Sequence, residues 1–431
     1  MENKVPKIAL ISPGKSSDWV SCQSIASNLR QSYAHLENVD ICHFVSNNND
    51  SRYQNKKVAT ALHDWGADLI AYIDHQPCAT ELLHALRVYY KDYRPRVLLH
   101  VFGDFLLYAS QLFQYQDSLL QFPMDLICAS DKQAKLISTM VMPEQSKIHA
   151  VPFPVKKETF HFSEDLRKHF RQGWKAADSE ILFLYSGRLS LQKNVLQVIR
   201  AFELFQREIQ PHSRLFLAGP IDDLGIPYLG KSTDSGLMAY DLRRLIQTVF
   251  DPSRQDKVQY IGNLTPTDLN QVYNGCDIFF SLSAHNDEDY GMAPAEALMT
   301  GSHCILSDWG GYSSFYKFMP NACQLVPVRM ARRTVGSDLD EVVKRLMTTP
   351  AAFDLQERKK KAESAVKIFS IQEISQKIDA IIRADHRMTF QGFGPLFGSL
   401  VQNQRVNPKA PLAVGDEYSK LYKEIYSVYC N

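Results

Sequence analysis

The sequence predicts an α/β protein built from doubly wound parallel sheets in two domains. Short apolar runs alternate with amphipathic helical patterns along the chain, which is the signature of βαβ units. Several of these runs are continuously apolar, as strands covered on both faces must be; residues 277–282, Asp-Ile-Phe-Phe-Ser-Leu, are one example. At 431 residues the chain is too long for a single core and fits about two to three domains.

Residues 8–12 read as the first strand, ending in Pro13-Gly14-Lys15-Ser16-Ser17, and an amphipathic helix follows over about 19–33. Further strands are expected at 39–45, at 68–74 with the polar edge Asp74-His75-Gln76-Pro77, and at 96–102, which closes in Leu99-His100-Val101-Phe102. Residues 125–130 form the next strand, 131–140 a helix, and 148–155 a short strand ending in a proline turn. The stretch 156–179 is charged and poorly periodic, so it reads as an interdomain connection. Within it Leu166, Phe170 and Trp174 recur every four residues beside Arg167, Lys168, Arg171 and Lys175. That pattern suits either a linker helix resting on the protein, the favoured reading, or a helix at a membrane surface.

A second domain opens with the strand 181–186, then Gly187-Arg188-Leu189-Ser190-Leu191-Gln192-Lys193-Asn194, and a helix over 195–209 whose stripe of Leu196, Ile199, Phe202 and Phe205 belongs to a core. A strand at 215–219 precedes a long stretch to about 237 without an assignment, and 258–263 reads as a strand and loop ending in Gly262-Asn263. After a helix over 265–275 comes the stretch around which the chain is organised. The apolar run 277–282 leads through Ser283-Ala284-His285-Asn286-Asp287-Glu288-Asp289-Tyr290 into a helix starting at Gly291. A helix start at the carboxyl edge of a parallel sheet presents unpaired N–H groups and a positive dipole end, a seat for a phosphate. Pro294 costs nothing there, because first-turn N–H groups have no partner in the helix. Glu288 and Glu296, with seven residues between them, straddle loop and helix and so flank a ligand lying across the helix mouth. Beyond Ser307-Asp308-Trp309-Gly310-Gly311, a strand at 324–328 and helices at 338–347, capped by Ser337, and at 354–369 are expected. A helix over 371–384 and a tyrosine-rich tail complete the chain.

Composition narrows the class. A hydrophobic fraction of 45%, a charged fraction of 22% and a net charge of +1 are those of a globular protein and argue against nucleic-acid binding by bulk charge. No segment reaches the ~18 uninterrupted apolar residues of a membrane span. Residues 1–6 are polar and run straight into a strand, which predicts no signal peptide and a cytoplasmic protein, with the inner membrane surface as the one other station. Eight cysteines without a C-x-x-C indicate neither a zinc site nor a disulfide framework.

Three of these stretches together resemble the retaining nucleotide-sugar glycosyltransferases of family 4, which have the GT-B fold. Glu288-Asp289-Tyr290-Gly291 is similar to the family's E-G-F-G, Glu296-Ala297-Leu298-Met299-Thr300-Gly301 to its E-A-M-A-x-G, and Gly187-Arg188-Leu189 with Lys193-Asn194 to its G-R-L-x-x-x-K-N. The resemblance is motif-specific over 181–328 and otherwise rests on the order of elements. It implies two Rossmann-like domains facing a cleft: 1–155 on the acceptor side, 156–179 as connection, 180–370 on the nucleotide-sugar side, and 371–431 as a helix returning to the first domain plus an unassigned tail. Arg188, Lys193 and the N–H groups of Gly291, Met292 and Ala293 would hold the donor diphosphate, without a metal or other cofactor. Glu296 would take the ribose hydroxyls, Gly262 and Asn263 would lie at the nucleobase, and Glu288 and His100 would act on the transferred sugar. Gly14 and His75 would stand on the phosphate and acceptor side; Lys15, next to Gly14, is separately a residue that could meet an anion. UDP-sugars are the donors the resemblance favours, and glycans, lipid-linked sugars and proteins the acceptors, with any membrane contact peripheral. Asp289 departs from the family's Gly and adds a charge beside Glu288. Two other readings stay open: a GT-B phosphorylase or epimerase, and a non-catalytic sugar-binding partner of a transferase.

Overall fold

The computed structural model describes residues 5–14, 20–47, 50–73, 78–142, 147–223, 236–349, 353–384 and 389–430. The chain divides into two units, Met1–Pro154 with Ile371–Pro411, and Val155–Ser370 with Leu412–Asn431.

The first unit is built on six parallel strands: β1 (Lys7–Ser12), β2 (Asp40–Val45), β3 (Leu69–Tyr72), β4 (Arg96–His100), β5 (Met124–Cys128) and β6 (Lys147–Ala150), in the order β2-β1-β3-β4-β5-β6. β3 and β5 are buried throughout, as a sheet covered by helices on both faces requires. The helix Ile371–Arg383 packs on the helix Val20–Ala34. Its open C-terminal carbonyls are satisfied by Arg96, whose guanidinium donates to Ile381, Ile382 and Ala384 at 2.9 Å each while also holding Asp125 at 2.8 Å. The helix Pro395–Val406 joins the same unit through Gln404, which accepts from the Ser110 hydroxyl at 2.9 Å.

The second unit repeats the design with β7 (Ile181–Ser186), β8 (Ser213–Ala218), β9 (Val258–Gly262), β10 (Ile278–Ser281), β11 (His303–Ser307) and β12 (Cys323–Val326), all parallel, in the order β12-β11-β10-β7-β8-β9. Phe183, Phe202, Phe205 and Phe280 meet edge to face in its core, with ring centroids 5.4 to 6.3 Å apart. Each such side chain removed from water stabilises the unit by about 1.5–3 kcal/mol before entropy is counted.

One local expectation is met, one is adjusted, and one open stretch is placed. Within 156–179, residues Glu164–Gly173 form a helix packed on the helix Pro266–Gly275, with Phe170 buried and its ring 5.3 Å from that of Phe216. Its arginines turn inward: Arg167 and Arg171 hold the buried carboxylate of Asp277 at 2.6 and 3.3 Å. The cap of the helix Leu339–Met347 is Asp338, one residue later than Ser337, because the Asp338 carboxylate is the group that receives an N–H, from Asp340 at 3.0 Å. Finally, 412–430 packs with the second unit while 371–411 belongs to the first, a division inside the stretch that the sequence reading kept together. Among the described residues no helix is long and apolar enough to cross a membrane.

Candidate functional site

In the second sheet the strand order reverses between β7 and β10. Loops leaving the carboxyl ends of two such strands diverge to opposite faces and leave a crevice, where open α/β sheets take their ligands. Those two loops are Gly187-Arg188 to Asn194, after β7, and Leu282 to Gly291, after β10. The two stretches singled out from sequence therefore meet at one sheet edge.

The cations of the first loop point at the second. Lys193 Nζ lies 2.8 Å from Glu288 Oε2 and 3.4 Å from Asp287 Oδ1. Arg188 Nη2 lies 3.6 Å from Asp287 Oδ2, and its Nη1 is 3.1 Å from Asp222 Oδ2, in the loop after β8. His285 Nδ1 stands 2.7 Å from Asp287 Oδ1. Burial disfavours the Lys193 ammonium, yet Asp287 and Glu288 more than offset it and hold its pKa above the ordinary value. Burial acts on Asp287 in the same opposing sense, and Lys193, His285 and Arg188 together leave its carboxyl well below the ordinary range. Arg188, Lys193 and Glu288, named from sequence, are thus brought together, and Asp287 stands at their centre.

The second loop ends on the helix Met292–Met299, whose first N–H groups have no side-chain cap. Gly291 has φ 98°, and a β-carbon on it would lie 2.4 Å from the ring of Tyr312, so glycine is required twice over. Glu296 faces the hydroxyl of Tyr273 at 3.2 Å, and burial pushes its carboxyl up to about 7. A carboxyl so placed accepts two hydroxyl hydrogen bonds when ionised and exchanges its proton near neutral pH. Gly262 ends β9 and Asn263 follows it; the Gly262 carbonyl accepts the Gly219 N–H at 2.8 Å, tying that end to β8.

The acidic loop is clamped from behind. The turn Trp309-Gly310-Gly311 after β11 presses on it: the Gly311 N–H donates to the Glu288 carbonyl at 2.8 Å, and a β-carbon on Gly311 would fall 2.0 Å from the Asp289 carbonyl oxygen. The buried Trp309 donates its indole N–H to the His285 carbonyl at 2.8 Å. Tyr290 is fully buried against Phe315, ring centroids 4.9 Å apart. The C-terminal segment completes the clamp. Tyr422, on the helix Lys420–Tyr426, donates its hydroxyl to Asn286 Oδ1 at 2.8 Å; Tyr429 meets Trp309 edge to face at 5.5 Å and accepts the Gly310 N–H on its carbonyl at 3.2 Å.

The remaining expected residues lie in the first unit. His100 ends β4, 2% exposed, its Nε2 2.8 Å from the Tyr33 hydroxyl, and burial holds its pKa down at about 3, so the ring is neutral. Gly14 is exposed and donates its N–H to Asn47 Oδ1 at 2.8 Å. His75 and Lys15 fall outside the described residues. Sequence reasoning missed Asp287, Asp222 and the tail tyrosines; the one available signal was the run Asp287-Glu288-Asp289, too many acids for a loop that meets cations.

Residues 167–317 match the family described as glycosyl transferases group 1, a stretch that contains both loops and the helix mouth. No curated protein matches the chain. Among solved structures, a sucrose-phosphate synthase from Thermosynechococcus elongatus superposes with a TM-score of 0.60 at 15% identity, over 88% of this chain and 98% of its own. Anabaena Alr3699/HepE, solved in complex with UDP and glucose, gives 0.60 at 15% identity over 88% and 100%. WaaG, a glycosyltransferase involved in lipopolysaccharide biosynthesis, gives 0.53 at 13% identity over 88% and 100%. At such identities the likeness speaks for the fold. Residues 167–317 thus match the glycosyl transferases group 1, and the chain around them has the GT-B fold.

Proposed function

We propose that this chain is a retaining glycosyltransferase that moves a sugar from a nucleoside diphosphate sugar, foremost a UDP-sugar, to a hydroxyl of a glycan, lipid-linked or protein acceptor, without a metal. One observation carries the reading: Arg188 and Lys193 converge at the switch point on the loop that feeds the helix mouth at Gly291. Departure of a nucleoside diphosphate builds negative charge on its terminal oxygens, and fixed cations with helix N–H groups are the groups that stabilise it. Arg188 offers a directional fork and Lys193 a point charge. Met292 and Ala293 supply N–H groups, Glu296 accepts the ribose hydroxyls, and Gly262 and Asn263 border the base. Glu288, steadied by Lys193, holds hydroxyls of the sugar. In the step itself the acceptor oxygen bonds to the anomeric carbon as the carbon–oxygen bond to phosphate breaks. The acceptor proton passes to the departing phosphate, so no protein nucleophile is needed. The structures of HepE with UDP, with UDP and glucose, and with UDP-glucose support a uridine donor.

The test is a panel of nucleotide sugars scored by thermal stabilisation, followed by release of nucleoside diphosphate with candidate acceptors and assignment of the product's anomeric configuration by NMR. Stabilisation of several degrees by one donor at millimolar concentration is expected, since a ligand of the folded state alone raises its melting temperature. A chain that no nucleotide sugar stabilises and that releases no nucleoside diphosphate is not a transferase; an inverted product sinks the retaining assignment alone.

A further inference from the structure

The two cations that would receive a diphosphate face, among the described residues, three carboxylates: Asp222, Asp287 and Glu288. These pairs are unequal. Lys193 to Glu288, at 2.8 Å, is a close charge-assisted contact, whereas Asp287 meets Lys193 at 3.4 Å and Arg188 at 3.6 Å, well beyond the ~2.7–2.9 Å of a tight one. The firmest contact of Asp287 is its 2.7 Å bond to His285, a ring 5% exposed whose loop is held by the Trp309 indole. One carboxylate thus spreads its two oxygens over two cations on different residues, the geometry of a phosphoryl group, while its anchor lies elsewhere.

We propose that Asp287 occupies the anion seat between Arg188 and Lys193, that the donor's diphosphate displaces it from that seat, and that Asp287 thereby sets the affinity of the site for its donor. The displaced carboxylate stays on His285, so the loop need not unfold, and Glu288 keeps its contact with Lys193. An internal competitor lowers apparent affinity by the fraction of time it leaves the seat open. It also makes release of the spent nucleoside diphosphate easier, because the returning carboxylate takes over both cations. This inference rests on the transferase reading above.

The test compares UDP and uridine binding to the wild type and to Asp287→Asn by calorimetry, with melting curves as the check on folding. The amide keeps the shape and the His285 contact but carries no charge, so UDP is expected to bind about tenfold tighter and uridine, which has no phosphate, to bind unchanged. Should the Asn variant melt early, Asp287→Ala is read the same way. A folded variant that binds UDP no more tightly than wild type, or more weakly, overturns the proposal, because Asp287 would then support the seat and not compete for it. Wild type that binds neither UDP nor any UDP-sugar is a different outcome: it removes the transferase reading together with this one.

Discussion

The hydroxyl of Tyr422 donates a 2.8 Å hydrogen bond to the side chain of Asn286, so the C-terminal segment holds the residue next to Asp287. Both partners are buried, with Tyr422 2% and Asn286 2% exposed. Tyr422→Phe removes the bond while keeping the ring that stacks near Tyr418 and Tyr426. Such a bond is worth about 1 kcal/mol, so the donor KM is expected to rise about fivefold with a small change in melting temperature. Equal donor saturation curves for the two proteins would show that the tail is packing only.

Arg188→Ala is expected to lower kcat by about 10²–10³, the loss seen when one donor to a developing oxyanion is removed. Arg188→Lys restores the charge without the fork and should recover part of it. Lys193→Ala is expected to cost stability as well, about 2 kcal/mol by denaturant titration, because it strips Glu288 and Asp287 of a partner in a mostly buried place. Turnover near normal in both alanine variants would remove the cation pair from the mechanism.

Glu296 gives a pH dependence with a defined sign. Its carboxyl is raised from the ordinary 4.5 to about 7 by burial. Between those values the folded chain keeps a proton that the unfolded chain has released, so its contribution to stability is complete below pH 4.5 and lost as pH rises through 7. Donor binding runs the other way, since only the ionised carboxylate accepts two ribose hydroxyls. UDP affinity is expected to weaken as pH falls below about 7, and Glu296→Gln to bind weakly with no such dependence. A wild-type affinity flat from pH 5 to 8 refutes the assignment.

Gly311→Ala tests the clamp sterically. Its backbone φ of −67° suits alanine, but the new methyl would lie 2.0 Å from the Asp289 carbonyl oxygen. The acidic loop must shift, so UDP affinity is expected to drop tenfold or more while the circular dichroism of the sheets and helices is retained.

What the sequence discloses and what it withholds divide by range. The β7 and β10 loops were legible because each is a contiguous motif at a strand end, and the parallel sheet brings strand ends together without further information. Asp287 was not, because its role arises only when Lys193, 94 positions away, arrives beside it. The helix Glu164–Gly173 rests on the protein as its pattern suggests, but the partner of Arg167 and Arg171 is hidden for a related reason: Asp277 lies over 100 positions on. The tail is the extreme case, since nothing in Tyr418, Tyr422, Tyr426 and Tyr429 names the turn at Trp309 and Gly310 as their dock.

The placement of Trp309 makes the protein its own fluorimeter. Its indole is wholly buried, bonded to the His285 carbonyl and set against Tyr429, so any movement of the loop that carries Asp287 changes the polarity and hydrogen bonding of that one chromophore. With Trp19, Trp65 and Trp174 replaced by phenylalanine, emission from the remaining indole would follow nucleotide arrival in real time, at the rate the loop itself responds.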